Sequence, residues 1–531
     1  MGRVQGAEGQ GDNHRQSAHR GRGLYHGLAL GVLFAAACRA PAAISEPQTV
    51  VFLTLSEPEH LDPRFPEDSL GANLGRMVSP GLLDTDPTRL VPVARLAAGY
   101  RRVSPTAVEV TLREGLRFVD GSPVTAADVV ATYRALLAPG SRSRLHGTYA
   151  AAFAGVEAEG PRGVHFTLRA PSGAVESLLQ MPIVPARLAA GPENLAAPGA
   201  EGRFVGASGW RVGALTPQHW RFERQPEDSV AVRSLRVVSL HDPNTLALRL
   251  LNGEGDVAEV KPETAALFEH RAGFSVLRAR GVGLTYLGIQ CEHGPLADPR
   301  VRRALGLALD RVALRRARMG DAAVDAEAVL PPTHWASMGA PGAVALRYDP
   351  AEARRLLREA LGGRGLRPLV LRVSSQRSSL VTAQALAAML EAVGVEVELR
   401  PSELATLLAD LRAGRFDLTY LTVPDLTDPW GLGFWFASTS IPENGQTGGN
   451  RWRFRDPTLD ALLTAGAAAS GPEARRPFYV AAQRRLAEGL PVIPLWHPDV
   501  VYVLRSPWRV GAEAPRGDGR LDFLAGLRRG P

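Results

Sequence analysis

Cysteine is nearly missing from this 531-residue chain, which holds only Cys38 and Cys291. A disulfide framework and a multi-cysteine metal centre are therefore excluded. Lysine is scarcer still: Lys261 is the only one among 61 basic residues. The arginines that make up the rest are interleaved with 54 acids and never form a run of five. A net charge of +7 arranged in this way belongs to a solvated mixed-charge surface, not to a nucleic-acid footprint. Beyond Cys38 no apolar run is long enough to span a bilayer, which excludes a polytopic membrane protein. No glycine-rich phosphate loop follows a strand, so nucleotide hydrolysis is unsupported. What remains is a globular body too long for one core, and two or three domains are expected.

The N-terminus carries a signal of its own. Arg15, Arg20 and Arg22 precede "LYHGLALGVLFAAAC", which is too short for a spanning helix and fits the core of a signal peptide. A start nearer Leu24 would give a leader of ordinary length. Ala35-Ala36-Ala37-Cys38 resembles the lipobox of bacterial lipoproteins, although that motif usually has leucine where Ala35 stands. Ala40-Pro41-Ala42 offers a rival cleavage site that would leave a soluble periplasmic protein. The expectation is export to the periplasm or cell envelope, with residues 1–38 removed or lipidated at Cys38. Loss of 1–38 takes away four arginines and two acids and lowers the net charge from +7 to +5.

Further along, "TVVFLTL" reads as a strand, and "SEPEHLDPRFPEDS" as a proline-rich loop with too little apolar content for a core. Val108 to Phe118 alternates at period two, which predicts a strand, and Val164 to Leu168 predicts another. "HWRFERQ" and "VRSLRVVSL" add two more. In the second half, Asp298-Pro299 opens a helix with a capping carboxylate and proline at the first helical position. "PLVLRVSS", "SLVTAQALAAMLEAVG", "VEVELR", "SELATLLADLRAG" and "RFDLTYLTV" then alternate strand and helix, which predicts a parallel sheet with helices packed on it. In "REGLRFVDGSPVTAADVVATY", Asp120-Gly121 predicts a tight turn. Thr125 there caps the next helix, with Asp128 three residues on.

Most candidate chemistry fails on spacing. "GASGW" resembles a nucleophile elbow, but Trp210 stands where that turn requires glycine. Cys291-Glu292-His293 would splay to opposite faces of an extended segment, and no second cluster completes a metal site. "NGEGDV" lacks the alternating carboxylates of a calcium loop. No catalytic constellation survives, so no enzyme, no cofactor and no metal is expected.

Asp425 differs by position. In open α/β sheets ligands collect beyond the carboxyl ends of the strands, and Asp425 stands just past "RFDLTYLTV" in "PDLTDPWG". A carboxylate there suits a ligand ammonium. It equally suits a turn or a helix cap, and Asp428-Pro429 reads as turn-forming.

Six blocks in order, covering nearly the whole chain after its leader, carry a resemblance. They are "SEPEHLDP", "LREGLRFVDGSPVTAADVV", "VRSLRVVSLHDPNTLALRLLNGEGDVAEV", "YLGIQCEHGPLADPRVRRALGLALDR", "NRWRFRDPTLDALL" and "AQRRLAEGLPVIPLWHPDVVYVLR". Together they resemble the bacterial extracellular solute-binding proteins of family 5, the receptors of peptide and nickel ABC importers. The resemblance implies an α/β, two-lobed periplasmic binding protein (type II, class C) with an extra domain inserted in the first lobe. On that pattern residues 39–90, 181–283 and 490–531 form lobe one, 91–180 the inserted domain and 284–489 lobe two. It implies a monomer that captures a small peptide and delivers it to ABC permease subunits in the inner membrane.

Within the family an aspartate in a D-x-x-D-P or D-x-x-E-P setting holds the ligand's amino group. "DLTDP" matches, which assigns that role to Asp425. Ser69, Trp210 and Gln290 are carried over as further ligand contacts. The chain departs from the pattern where "GASGW" replaces the usual G-T-G-P-Y loop, where "TVPD" lacks the usual tryptophan, and where Gln290 replaces asparagine. These departures leave the ligand open between a peptide and another solute, such as a metal chelate, an opine or an oligosaccharide. An envelope sensor or adaptor with the same fold is the remaining alternative.

Overall fold

The computed structural model describes residues 48–59, 61–189, 204–216, 219–224, 231–339, 345–423, 426–443 and 448–530. Three sheets organise them. The first has seven strands, in the order Phe274–Ala279, Val500–Arg505, Val257–Glu259, Thr49–Thr54, Ser234–Ser239, His219–Arg224 and Trp210–Thr216. Period-two alternation along Thr49–Thr54 sends Val50 and Phe52 into one core and Leu53 into another on the opposite face. Both faces are therefore covered, the first by a cluster that includes Trp210, Trp220 and Phe222.

The second sheet has six strands, in the order Ala323–Asp325, Val492–Pro498, Leu284–Ile289, Leu418–Val423, Leu369–Ser374 and Val397–Ser402. The alternating block behaves as its pattern predicts: Leu369–Ser374 pairs in parallel with both Val397–Ser402 and Leu418–Val423. The sheet as a whole is mixed, because Leu284–Ile289 joins it antiparallel to Leu418–Val423. Every residue of Leu284–Ile289 is buried, as expected of a central strand with helices on both faces. Asp298 caps Pro299–Leu307, its carboxylate accepting from the Arg300 amide at 2.8 Å.

The third sheet is antiparallel and four-stranded, in the order Ala97–Ser104, Ala107–Leu112, Gly163–Leu168 and Phe153–Glu159. One face takes the helix Ala126–Leu137, whose Tyr133 ring meets Phe166 edge-on at 4.9 Å. The strand expected over Val108 to Phe118 ends at Leu112, because the chain turns at Gly115 with φ +71°. Gly121 takes φ +86° in the predicted turn, and Thr125 is the N-cap of the helix. Asp128 accepts from the Thr125 amide and hydroxyl, both at 2.8 Å, and its other oxygen accepts from the Ala186 amide at 2.7 Å.

Two further differences have physical causes. The loop read as too polar for a core buries Leu61, Asp62 and Arg64, and the two charges pair at 2.8 Å, so neither is left uncompensated. The strand Val492–Pro498 lies in the second sheet, so the chain returns to the first at Asp499 rather than near Leu490. Asp499 accepts from Arg280 at 2.8 Å, linking the two crossings. They touch backbone to backbone: a Cβ on Gly281 would stand 1.7 Å from the Pro498 carbonyl oxygen, and one on Gly517 1.7 Å from that of Arg280. No helix among the described residues is long and apolar enough to cross a membrane.

Candidate ligand cleft

A cavity of about 330 Å³ lies where the three parts of the molecule meet. Pro63 and Arg76 face it from the first part, Tyr149 and Ser177 from the part built on the third sheet, and Asp428 and Arg475 from the second. Its volume is at the small end of ligand pockets, which run to roughly 300–1,000 Å³.

Arg475 stands in the first turn of the helix Pro472–Gly489, with only 3% of its side chain exposed. The Trp335 and Tyr479 rings each lie 5.4 Å from its guanidinium carbon, so cation–π contact and burial hold it in place. Its Nη2 donates to Asp428 Oδ1 at 2.7 Å and its Nη1 to Oδ2 at 3.3 Å. Asp428 also accepts from the Trp430 amide at 2.8 Å and from the Ser177 hydroxyl, which reaches it from the part built on the third sheet. Burial pushes the Asp428 carboxyl up, but Arg475, Ser177 and the Trp430 amide outweigh it and hold the group below the usual carboxylate range. The pair is thus ionised and matched charge for charge, the condition under which a buried ion pair is tolerated, with Arg475 Nε alone left without a hydrogen-bond partner.

The contact continues through the backbone. The Gly173 amide donates to the Ala467 carbonyl at 2.5 Å. A Cβ at Gly173 would fall 2.1 Å from the Ala469 carbonyl oxygen and 2.9 Å from Arg475 Cδ, so only glycine permits this approach. Beside it Arg102 donates to the Ser172 carbonyl at 2.5 Å and faces Glu176 at 3.3 Å. Burial raises the Glu176 carboxyl despite that arginine.

The structure separates the residues expected to share a site. Asp425 and Cys38 lie outside the described residues. The segment just after Asp425 does reach the cavity, because Thr427 and Asp428 form part of its wall. Trp210 is 1% exposed inside the first core with Arg224 over its ring, so it packs and does not face this cavity. Gln290 is buried elsewhere, its Oε1 accepting from the Glu292 amide at 2.8 Å, beside a separate depression bordered by Arg367 and Asp417. Ser69 is exposed at the start of the helix Ser69–Val78, which reaches the cavity only with Ala72 and Arg76. Of the three residues weighed as metal ligands, Cys291 is half-buried, with desolvation pushing its thiol up to about 12, while Glu292 and His293 pair with each other at 3.1 Å.

Sequence reasoning missed Ser177, Arg475 and the bridging role of Asp428. The repeated aspartate of "DLTDP" was a usable signal for Asp428. Nothing distinguishes Arg475 in "GPEARRPF" from the chain's other arginines. A larger depression of about 840 Å³ is bordered by Lys261, Arg316 and Arg377. All three are solvated side chains, and it lacks the aromatic walls and convergent buried polar groups of a ligand site.

Known proteins share the sequence pattern and the fold. The family model described as "Bacterial extracellular solute-binding proteins, family 5 Middle" matches residues 92–443. Protein XP55 of Streptomyces lividans is 28% identical over 94% of this chain and 96% of its own. Probable di/tripeptide-binding protein 5 of Pseudomonas aeruginosa is 30% identical over 57% of each chain. Among solved structures, the ABC transporter substrate binding protein CtaP of Listeria monocytogenes superposes with a TM-score of 0.80 at 20% identity, covering 91% of this chain and 99% of that one.

Proposed function

Because this chain belongs to the bacterial extracellular solute-binding proteins of family 5, we propose that it captures a short peptide between its lobes and delivers it to the permease of an ABC importer. The observation that carries this reading is the cavity walled by all three parts of the molecule, with Thr427 and Asp428 of "DLTDP" in one wall. A ligand in that position touches every moving part at once, so it stabilises the closed form over the open one by differential contact. Extended peptide backbone pairs with main-chain groups of the walls. Asp425 takes the ligand's amino group in a charge-assisted bond that strengthens as closure expels water. A relative named for di/tripeptides supports a short ligand.

Export follows from the leader, and Cys38 is the proposed lipid attachment point that keeps a monomeric receptor beside its permease. Incorporation of labelled fatty acid that disappears in Cys38→Ala is the test of the anchor.

The ligand is tested by calorimetry with a mixed peptide pool. Wild type is expected to bind and Asp425→Ala to bind at least tenfold more weakly. Equal binding by both removes Asp425 from the role. Native mass spectrometry of protein purified without refolding identifies a non-peptide solute if that is what the cleft holds.

A further inference from the structure

We infer that Glu109, His165 and Glu159 hold a divalent cation of the zinc class on the outer face of the third sheet, where none of them borders the cleft cavity. The register of the sheet brings them together. His165 lies on the strand Gly163–Leu168, directly opposite Glu109 of Ala107–Leu112. Glu159 ends the strand on the other side, Phe153–Glu159, and stands opposite Gly163. Residues at period two share a face, so His165 and Gly163 look the same way. That way is out from the core, which takes Val108, Val110, Val164 and Phe166 from the alternate positions. A Cβ at Gly163 would fall 2.5 Å from the Glu159 carbonyl oxygen and 3.1 Å from Glu159 Cβ. With no side chain at Gly163, Glu159 has room to lean toward His165. One imidazole nitrogen and two carboxylate oxygens thus lie within 4.8 Å of one another. The expectation of no metal rested on spacing along the chain, whereas strand pairing assembles this set.

The chemistry of the three groups calls for a cation. His165 Nδ1 is buried and has no hydrogen-bond partner, and Glu159 Oε1 stands 3.6 Å from it, beyond hydrogen-bond range. As an acceptor, Nδ1 gains nothing from ionised carboxylates, which cannot donate. A metal ion takes that lone pair and neutralises both acids. Glu157, directly opposite His165, adds a further negative charge to the same face. Arg101 meets Glu109 at 2.5 Å, but 74% of its side chain is exposed, so it yields the carboxylate at small cost. An imidazole with two carboxylates and an open position suits zinc, whereas calcium and magnesium take six or more oxygens. Metal bonds of about 2.0–2.2 Å require the donors to close by roughly 1 Å, within the reach of a half-buried and an exposed glutamate side chain. The ion ties three adjacent strands together and so stabilises this part of the fold.

The test uses the full mature chain after its leader, without a histidine tag and stripped with EDTA, and Zn2+ alone as the probe. Competition with a chromogenic chelator reads stoichiometry and affinity, and thermal unfolding reads the stabilisation. Wild type is expected to take up one equivalent and to unfold about 1–2 °C higher when zinc exceeds its Kd tenfold. His165→Phe and Glu159→Gln are each expected to bind at least about tenfold more weakly. Glu159 is exposed, so its variant keeps the test open should His165→Phe fail to fold. Glu157→Gln removes the same charge from the same face but no ligand atom, and its affinity should stay within about threefold of wild type. Arg101→Gln is expected to bind more tightly, because Glu109 no longer has a competing partner. Zinc uptake unchanged in His165→Phe overturns the inference, as does a wild type that takes up no zinc. A loss in Glu157→Gln equal to that in Glu159→Gln also overturns it, since the ion would then be held by a diffuse acidic patch. None of these outcomes touches the peptide reading of the cleft.

Discussion

Two regions of the molecule resolve similar polar chemistry in opposite ways. In the stretch Arg113 to Tyr133 the bonds that shape the turn and the helix cap are local: Gly121 closes a turn on Phe118, and Asp128 serves Thr125 three residues away, while longer bonds such as Ala186 to Asp128 and Tyr133 to Leu178 anchor the stretch to its own sheet and its neighbours. At the cavity wall the bonds join Ser177 to Asp428 and Asp428 to Arg475, across 251 and 47 positions of sequence. The local cluster caps a helix and positions one sheet. The distributed cluster joins one part of the molecule to another and borders the space where a ligand goes. The chemistry that looks dense in sequence serves the fold, because short hydrogen-bonded motifs arise wherever helices and turns begin. Chemistry that serves a cleft between lobes must come from several elements and so looks sparse in sequence.

The largest effect that tests this contrast comes from Arg475→Met. It leaves the half-buried Asp428 carboxylate without its arginine, held only by Ser177 and the Trp430 amide, which should cost at most about 3–5 kcal/mol in denaturant unfolding. The double variant Arg475→Met with Asp428→Leu should recover much of that. A loss below about 1 kcal/mol would mean that the junction opens to water and contributes little. Next in size is Asp128→Ala, which strips acceptors from the Thr125 and Ala186 amides and should cost about 2 kcal/mol. Its peptide affinity should stay within twofold of wild type, and a large drop would break the division between folding and cleft chemistry. Smallest in stability is Ser177→Ala, expected within about 1 kcal/mol by the same measure. Its signature is a larger radius of gyration in small-angle scattering of the ligand-free protein, because a tie between the two parts is gone. An unchanged radius would make Ser177 a bystander.

What the sequence allowed follows the same division. The alternating strands, the Asp298-Pro299 cap and the parallel block from Leu369 to Val423 were legible because each depends on neighbours within a few residues. The strand Ala97–Ser104 was not, since most of its residues are exposed and no apolar alternation marks it. The antiparallel entry of Leu284–Ile289 into the second sheet was equally hidden, because a uniformly buried strand has no facing to read. Trp210 looked like a candidate for stacking on ligand, yet its ring completes the first core. Arg475 shows the limit most plainly, since its burial depends on Trp335, far away in the chain.

The close approach of Gly281 to the Pro498 carbonyl, with Gly517 seated on Arg280, has a mechanical consequence. Where peptide planes rest directly on one another, no layer of side chains remains that could slide. The crossing then behaves as a pivot with one soft rotation and no soft translation. Parts of the cleft farthest from it sweep the longest arc, while those beside it barely move. An incoming solute is therefore admitted or refused by the travel of the distal rim, and a larger side chain at Gly281 would jam the pivot without touching any residue that contacts the solute.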